Sequence, residues 1–165
     1  MIKVLIGLAL TGAAFAPLGA QAQSAGAKPP IELSHFMSAY SVADIEAVTR
    51  FYVDVLDFKV VKDAPLGAAM HFRWLRNGNQ GIELAQVANS KPGPKRGRPP
   101  AHLAVRGPGQ LMVQVRSLEA TKAALAARGV TPTVDITNVA ALGIKVMFVV
   151  DPEGNPIEIV ETTGA

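Results

Sequence analysis

A chain of 165 residues with 49% hydrophobic and 18% charged side chains can bury a core of single-domain size and is too apolar to be disordered. Its formal charge of +3 is too small for a general nucleic-acid-binding surface. The absence of cysteine excludes disulfides, thiolate metal sites and thiol nucleophiles.

The opening residues carry the three parts of a secretory signal: Lys3, an apolar run from Val4 to about Ala16, and small residues at Ala20 and Ala22. The run is shorter than the ~20 residues of a bilayer span and is followed by Pro17. Residues 1–22 are therefore expected to be cleaved as a signal peptide, leaving 23–165 as a single soluble domain, secreted or periplasmic, with no stable membrane anchor.

Further along, Asp44 is a good N-cap, and Ile45, Val48, Phe51, Tyr52, Val55 and Leu56 follow at helical spacing. The pattern predicts an amphipathic helix to about Asp57. Strands are predicted over 59–62, 69–75 and 81–87, with Asn77-Gly78 as a tight turn. Residues 88–109 then read as a linker. Lys91, Lys95, Arg96 and Arg98 lie there among prolines and glycines with no aromatic residues to stack bases, so a solvated joint is expected and nucleic acid is not. His102 is expected to be exposed in it.

After the linker comes a strand over 110–114 and a helix from Ser117 to Gly129, with Leu118, Thr121, Ala124 and Leu125 as its inner stripe. Strands over 133–136, 144–150 and 156–161 complete the chain, with the turn Pro152-Glu153-Gly154-Asn155 before the last. Residues 41–47 align with 114–120 at an offset of 73, which reveals an internal repeat. The order β-α-β-β-β thus occurs twice, in module one at about 33–87 and module two at about 110–161. The fold class is α+β: two βαβββ modules whose curved mixed sheet forms a half-barrel cup with the helices outside.

Strand alternation sorts the side chains between the two faces. Leu111, Val113 and Val115 should pack on a helix, and Gln110, Met112 and Gln114 should face the cup. Glu83, flanked by Ile82 and Leu84, and Glu158, flanked by Ile157 and Ile159, should face it too. Tyr40 falls on the helix side by parity. Trp74 and Phe72 share one face of their strand and are expected to be core, while the facing of His71 is left open.

The run Asp44-Ile45-Glu46-Ala47 with Phe51-Tyr52, Val55-Leu56 and Phe58 resembles the first-helix signature of the vicinal oxygen chelate (glyoxalase/bleomycin resistance/extradiol dioxygenase) superfamily. Val150-Asp151-Pro152-Glu153-Gly154-Asn155-Pro156-Ile157-Glu158-Ile159 is similar to its last hairpin, and Gly81-Ile82-Glu83-Leu84 also fits. Asp57 stands where the family usually has Gly, and Asp tolerates the left-handed turn.

The resemblance implies four strand positions that hold a divalent ion in metal-using members, and they fall here on Met37, Glu83, Gln110 and Glu158. The offset of 73 also relates Met37 to Gln110. A thioether is a poor ligand for a hard ion, so His35 is taken as the substitute in a metal set of Glu83, Gln110, Glu158 and His35. Catalytic roles are assigned to Glu158 and Glu83, and substrate contacts to Met37, Ser41, Met112 and Gln114. Ser41 and Val87 replace the basic residue and the Asn of glutathione-using members, so lactoylglutathione lyase activity itself is not expected.

Three readings stay open. The first is an exported enzyme of lyase, isomerase or dioxygenase type that acts on a small oxygen-bearing molecule with a divalent metal ion. A metal-free enzyme using Glu83 and Glu158 is the second, and a protein that sequesters a small molecule without chemistry is the third. An enzyme is placed first because both module-ending glutamates are present. The resemblance further implies a homodimer.

Overall fold

The computed structural model describes residues 36–162, and within them the βαβββ order occurs twice. β1 (Met37–Val42) leads into α1 (Ile45–Asp54), followed by β2 (Lys59–Leu66), β3 (Met70–Asn77) and β4 (Gln80–Val87). The plan repeats in β5 (Leu111–Gln114), α2 (Leu118–Ala127), β6 (Val134–Val139), β7 (Ile144–Val150) and β8 (Pro156–Thr162). Each module forms a four-stranded mixed sheet, in the orders β1-β4-β3-β2 and β5-β8-β7-β6. First and last strands pair in parallel and the other neighbours antiparallel. A parallel pair cannot be closed by a tight turn, which is why each helix follows the first strand directly.

Side-chain caps start both helices. Asp44 Oδ1 accepts from the amides of Glu46 at 3.0 Å and Ala47 at 2.9 Å, and Ser117 Oγ accepts from Ala120 at 3.2 Å. The first helical amides donate to side chains from the last strand of their own module: Ile45 to Gln86 at 2.8 Å and Leu118 to Glu161 at 2.6 Å. Each sheet thereby fixes the entry of its helix. α1 ends earlier than its apolar pattern suggests, because Asp57 adopts φ 56° and lets the Phe58 amide reach the Tyr52 carbonyl at 3.0 Å. β2, by contrast, runs past 62 to Leu66, its pairing with β3 resuming after a bulge between Val60 and Lys62.

The alternation sorted from the sequence holds. Val42, Leu75, Ile82 and Leu84 meet Ile45, Val48 and Tyr52 of α1, with Tyr40 packed against them. Leu118 and Leu125 of α2 meet Met147, Val149, Ile157 and Ile159 in the same core. Fully burying each such side chain contributes about 1.5–3 kcal/mol. Polar ties join the modules: Arg128 donates to Asp57 at 3.0 Å and to the Asp54 carbonyl at 3.1 Å, and Glu153 accepts from the amide of Ala43 at 2.7 Å.

One charged residue enters the helix side of module one. Arg73 is 7% exposed and donates to Asp63 at 2.9 Å, to Thr49 at 3.0 Å and to both oxygens of Glu46 at 2.8 and 3.0 Å. A buried guanidinium is tolerated when its donors are bonded in this way. His71 joins the group through Asp63 at 2.6 Å, which settles its facing. Hydrogen bonds from Arg73 hold both carboxyls below the usual carboxylate range, with His71 contributing at Asp63.

The linker corrects the sequence reading. It contains a single-turn 3₁₀ helix, Ala101–Ala104, whose His102 is 0% exposed and not solvated as expected. Arg96 draws the loop in by donating to the carbonyls of His102 at 3.1 Å and Val105 at 2.8 Å. Arg98 reaches the Thr133 carbonyl at 3.1 Å. Arg96 is thus structural, while Arg98 stays exposed. Among the described residues, no helix is long and apolar enough to cross a membrane.

Candidate functional site

The face of the module-two sheet turned away from the main core carries a second apolar cluster of Val146, Phe148 and Val160, with Val134, Val139 and Ile144 beside them. Glu158 shares that face. Its register partners are Phe148 on β7, which is buried, and Met112 on β5, which is 62% exposed. The carboxyl therefore has one walled flank and one open flank. Gln110, just before β5, donates its amide nitrogen to Glu158 Oε2, and its carbonyl oxygen meets Nε2 of His102. The His102 ring stands edge-on to Phe148, with centroids 5.8 Å apart at 73°. Among the described residues, its buried Nδ1 has no partner.

Burial pushes the Glu158 carboxyl above its ordinary value. A carboxyl raised in this way, bonded by the Gln110 amide and open on one side, is a better proton acceptor than an ordinary glutamate.

Module one presents Glu83 at the corresponding place on β4. Its register partner on β3 is Trp74, whose indole N–H donates to Glu83 Oε2 at 2.6 Å. Lys62 stands 4.5 Å from the centre of the Trp74 ring. Trp74 is half-buried and hydrogen-bonded to a predicted catalytic residue, so the core assignment made from sequence understates it. Met37 pairs with Gly81, and its Cγ lies 2.6 Å from where a side chain at 81 would begin, so Gly81 is required for Met37 to lie flat there.

The remaining predicted contacts are dispersed. Ser41 lines a cleft of about 790 Å³ with Lys91, Lys95 and Glu153. Gln114 donates to Thr162 at 3.3 Å and lines a cavity of about 450 Å³ with Val55, Leu56 and Arg128. Of the predicted set, Gln110 and Glu158 are brought together. Among the described residues, no hydrogen bond joins either of them to Glu83. His35 lies outside the described residues.

A divalent ion held as the resemblance implies needs donors from both modules turned to one point. Met37 offers a thioether folded on Gly81, Glu83 is bound by the indole, and Gln110 places its oxygen on His102 and its nitrogen on Glu158. Among the described residues, no three His, Asp or Glu side chains stand together as a metal-binding group. The described residues do not fit such an ion.

None of the curated proteins matches this sequence. Among solved structures, the chain is similar to the protein SMU.1112c, at 24% identity and TM-score 0.64, over 80% of this chain and 100% of the other. It is similar to a glyoxalase family protein from Enterococcus faecalis at 25% identity and TM-score 0.61, over 79% and 97%. A glyoxalase I variant from Zea mays shares the fold at 14% identity and TM-score 0.60, over 78% of this chain and 45% of that longer one. The profile of the Glyoxalase/Bleomycin resistance protein/Dioxygenase superfamily matches residues 32–159, and the chain belongs to that superfamily.

Proposed function

We propose that the chain is an exported, glyoxalase-like enzyme that moves a proton on a small oxygen-bearing molecule, with Glu158 as its acid-base group and without a resident metal. One observation carries the reading: Glu158 is raised by burial, bonded by Gln110 and open toward Met112. The ionised carboxyl removes a proton from the hydroxyl-bearing carbon beside a carbonyl, the electron pair forms the enediolate with its charge on the carbonyl oxygen, and the protonated carboxyl returns the proton to the former carbonyl carbon as the hydroxyl proton passes to the oxyanion. This suits the lyase and isomerase types, because a carboxyl can carry the transfer unaided. The signal-like start, Lys3 through Ala22, supports export.

The half-site around Glu83 and Trp74 is assigned to substrate binding. The homodimer is part of the proposal: Leu103, 59% exposed, is apolar surface that a second copy would cover.

The test is solvent exchange. The purified mature protein is incubated in heavy water with small α-hydroxycarbonyl and 1,2-dicarbonyl compounds, and deuterium uptake is followed by proton NMR, with and without chelator. The proposal expects uptake that survives chelation and is lost in Glu158→Gln. Uptake abolished by chelation and restored by a divalent ion would contradict it. A compound bound stoichiometrically and returned without exchange would favour sequestration.

A further inference from the structure

We infer that His102 is a positioning residue of the Glu158 centre: acting through Gln110, it fixes which end of an amide faces the carboxylate. The inference rests on the proposed role of Glu158 and adds the linker to the site.

An ionised carboxylate only accepts hydrogen bonds, so Gln110 must turn its NH2 to Glu158. The Gln110 carbonyl oxygen then faces the imidazole, and the nitrogen that meets it, His102 Nε2, must carry the hydrogen. Nothing else on the described side chains holds this amide. Without a donor at that point, the Gln110 side chain is free to rotate and present its oxygen to the carboxylate, which repels it.

The imidazole is itself held. It is 0% exposed, its ring packs edge-on to Phe148, and Arg96 clamps the carbonyls of His102 and Val105 on either side of the turn. Its second nitrogen, Nδ1, is buried with no partner among the described residues. A residue kept for packing alone would not leave a polar atom stranded, since phenylalanine or leucine fills the same space without that loss. The stranded Nδ1 is the lone-pair nitrogen that the Nε2–H form requires. The same order of donors thus accounts for the contact at Gln110 and for the orphan atom.

Two measurements test this on the intact mature protein. Nitrogen-15 NMR of the imidazole should find the hydrogen of His102 on Nε2 and a bare Nδ1. The opposite tautomer overturns the inference. This readout needs no turnover, so it separates failure of the positioning role from failure of the proposed reaction.

The second measurement is kinetic. His102→Phe keeps the ring against Phe148 and removes the donor, while His102→Gln returns an N–H near the position of Nε2. In the deuterium-exchange assay, His102→Phe should lower kcat about 10- to 100-fold with KM changed less than about twofold, and His102→Gln should restore most of the loss. A folded His102→Phe protein with wild-type kcat would overturn the inference. So would equal loss in both variants. Should His102→Phe fail to fold, the tautomer decides.

Discussion

The two modules solve one problem in reciprocal ways. Each ends with a glutamate on the sheet face turned from the main core, and among the described residues each glutamate has one side-chain donor. In module one the donor is Trp74, its register partner on β3, while the β1 position holds Met37, which cannot donate. In module two the β7 partner is Phe148, which cannot donate, and the position equivalent to Met37 holds Gln110, which does. Tryptophan for phenylalanine and methionine for glutamine are thus compensating exchanges between the repeats. The surroundings differ as well: the linker buries His102, which bonds the Gln110 that holds Glu158, whereas Glu83 is bonded by Trp74, whose ring carries Lys62 at 4.5 Å. A duplicated fold here carries two unlike carboxylates.

The largest effect should break that contrast at the glutamates themselves. Glu158→Gln should lower the exchange rate about 10²- to 10⁴-fold, the usual contribution of a general base, whereas Glu83→Gln should lower it less than tenfold. Equal losses, measured in the same heavy-water assay, would mean that the modules share the chemistry.

Next come the packing differences. Gly81→Ala should destabilise the protein by about 1–3 kcal/mol in denaturant melts, because the new methyl meets Met37 at 2.6 Å. Met37→Ala in the same chain should recover much of that loss, since residues in contact are not additive. Additive losses would show that Met37 and Gly81 are not in contact.

The smallest effect concerns acid stability in module one. Arg73 holds Glu46 and Asp63 below their ordinary values of 4.5 and 3.8. Their stabilisation is therefore present above those values and is lost as pH falls toward the lower folded ones. In Arg73→Met, melting temperature should be lower near neutrality and should fall less steeply below about pH 5. An unchanged slope would remove the ion group from the account.

Much of the fold was legible because it rests on local rules. Asp44 and Ser117 announced the helix starts, Ile82-Glu83-Leu84 and Ile157-Glu158-Ile159 announced the faces of their strands, and the offset of 73 announced the repeat. The site was legible in part. Alternation places Gln110 and Glu158 on corresponding faces of their strands, and the parallel pairing of β5 with β8 then brings them together. His102 was read as exposed because its burial comes from Arg96 pulling a proline-rich loop inward, and such a loop carries no periodicity. Trp74 was read as core because its apolar body outweighs one N–H in any sequence pattern, although the register with Glu83 turns that N–H into the carboxylate's donor.

The central claim is that Glu158 sits in a setting that disfavours its charge. A carbon-13 NMR titration of its side-chain carboxyl in the purified protein, identified by loss of the signal in Glu158→Gln, reads this without substrate. The account predicts a midpoint above 4.5, the ordinary glutamate value. A midpoint at or below that value would contradict it.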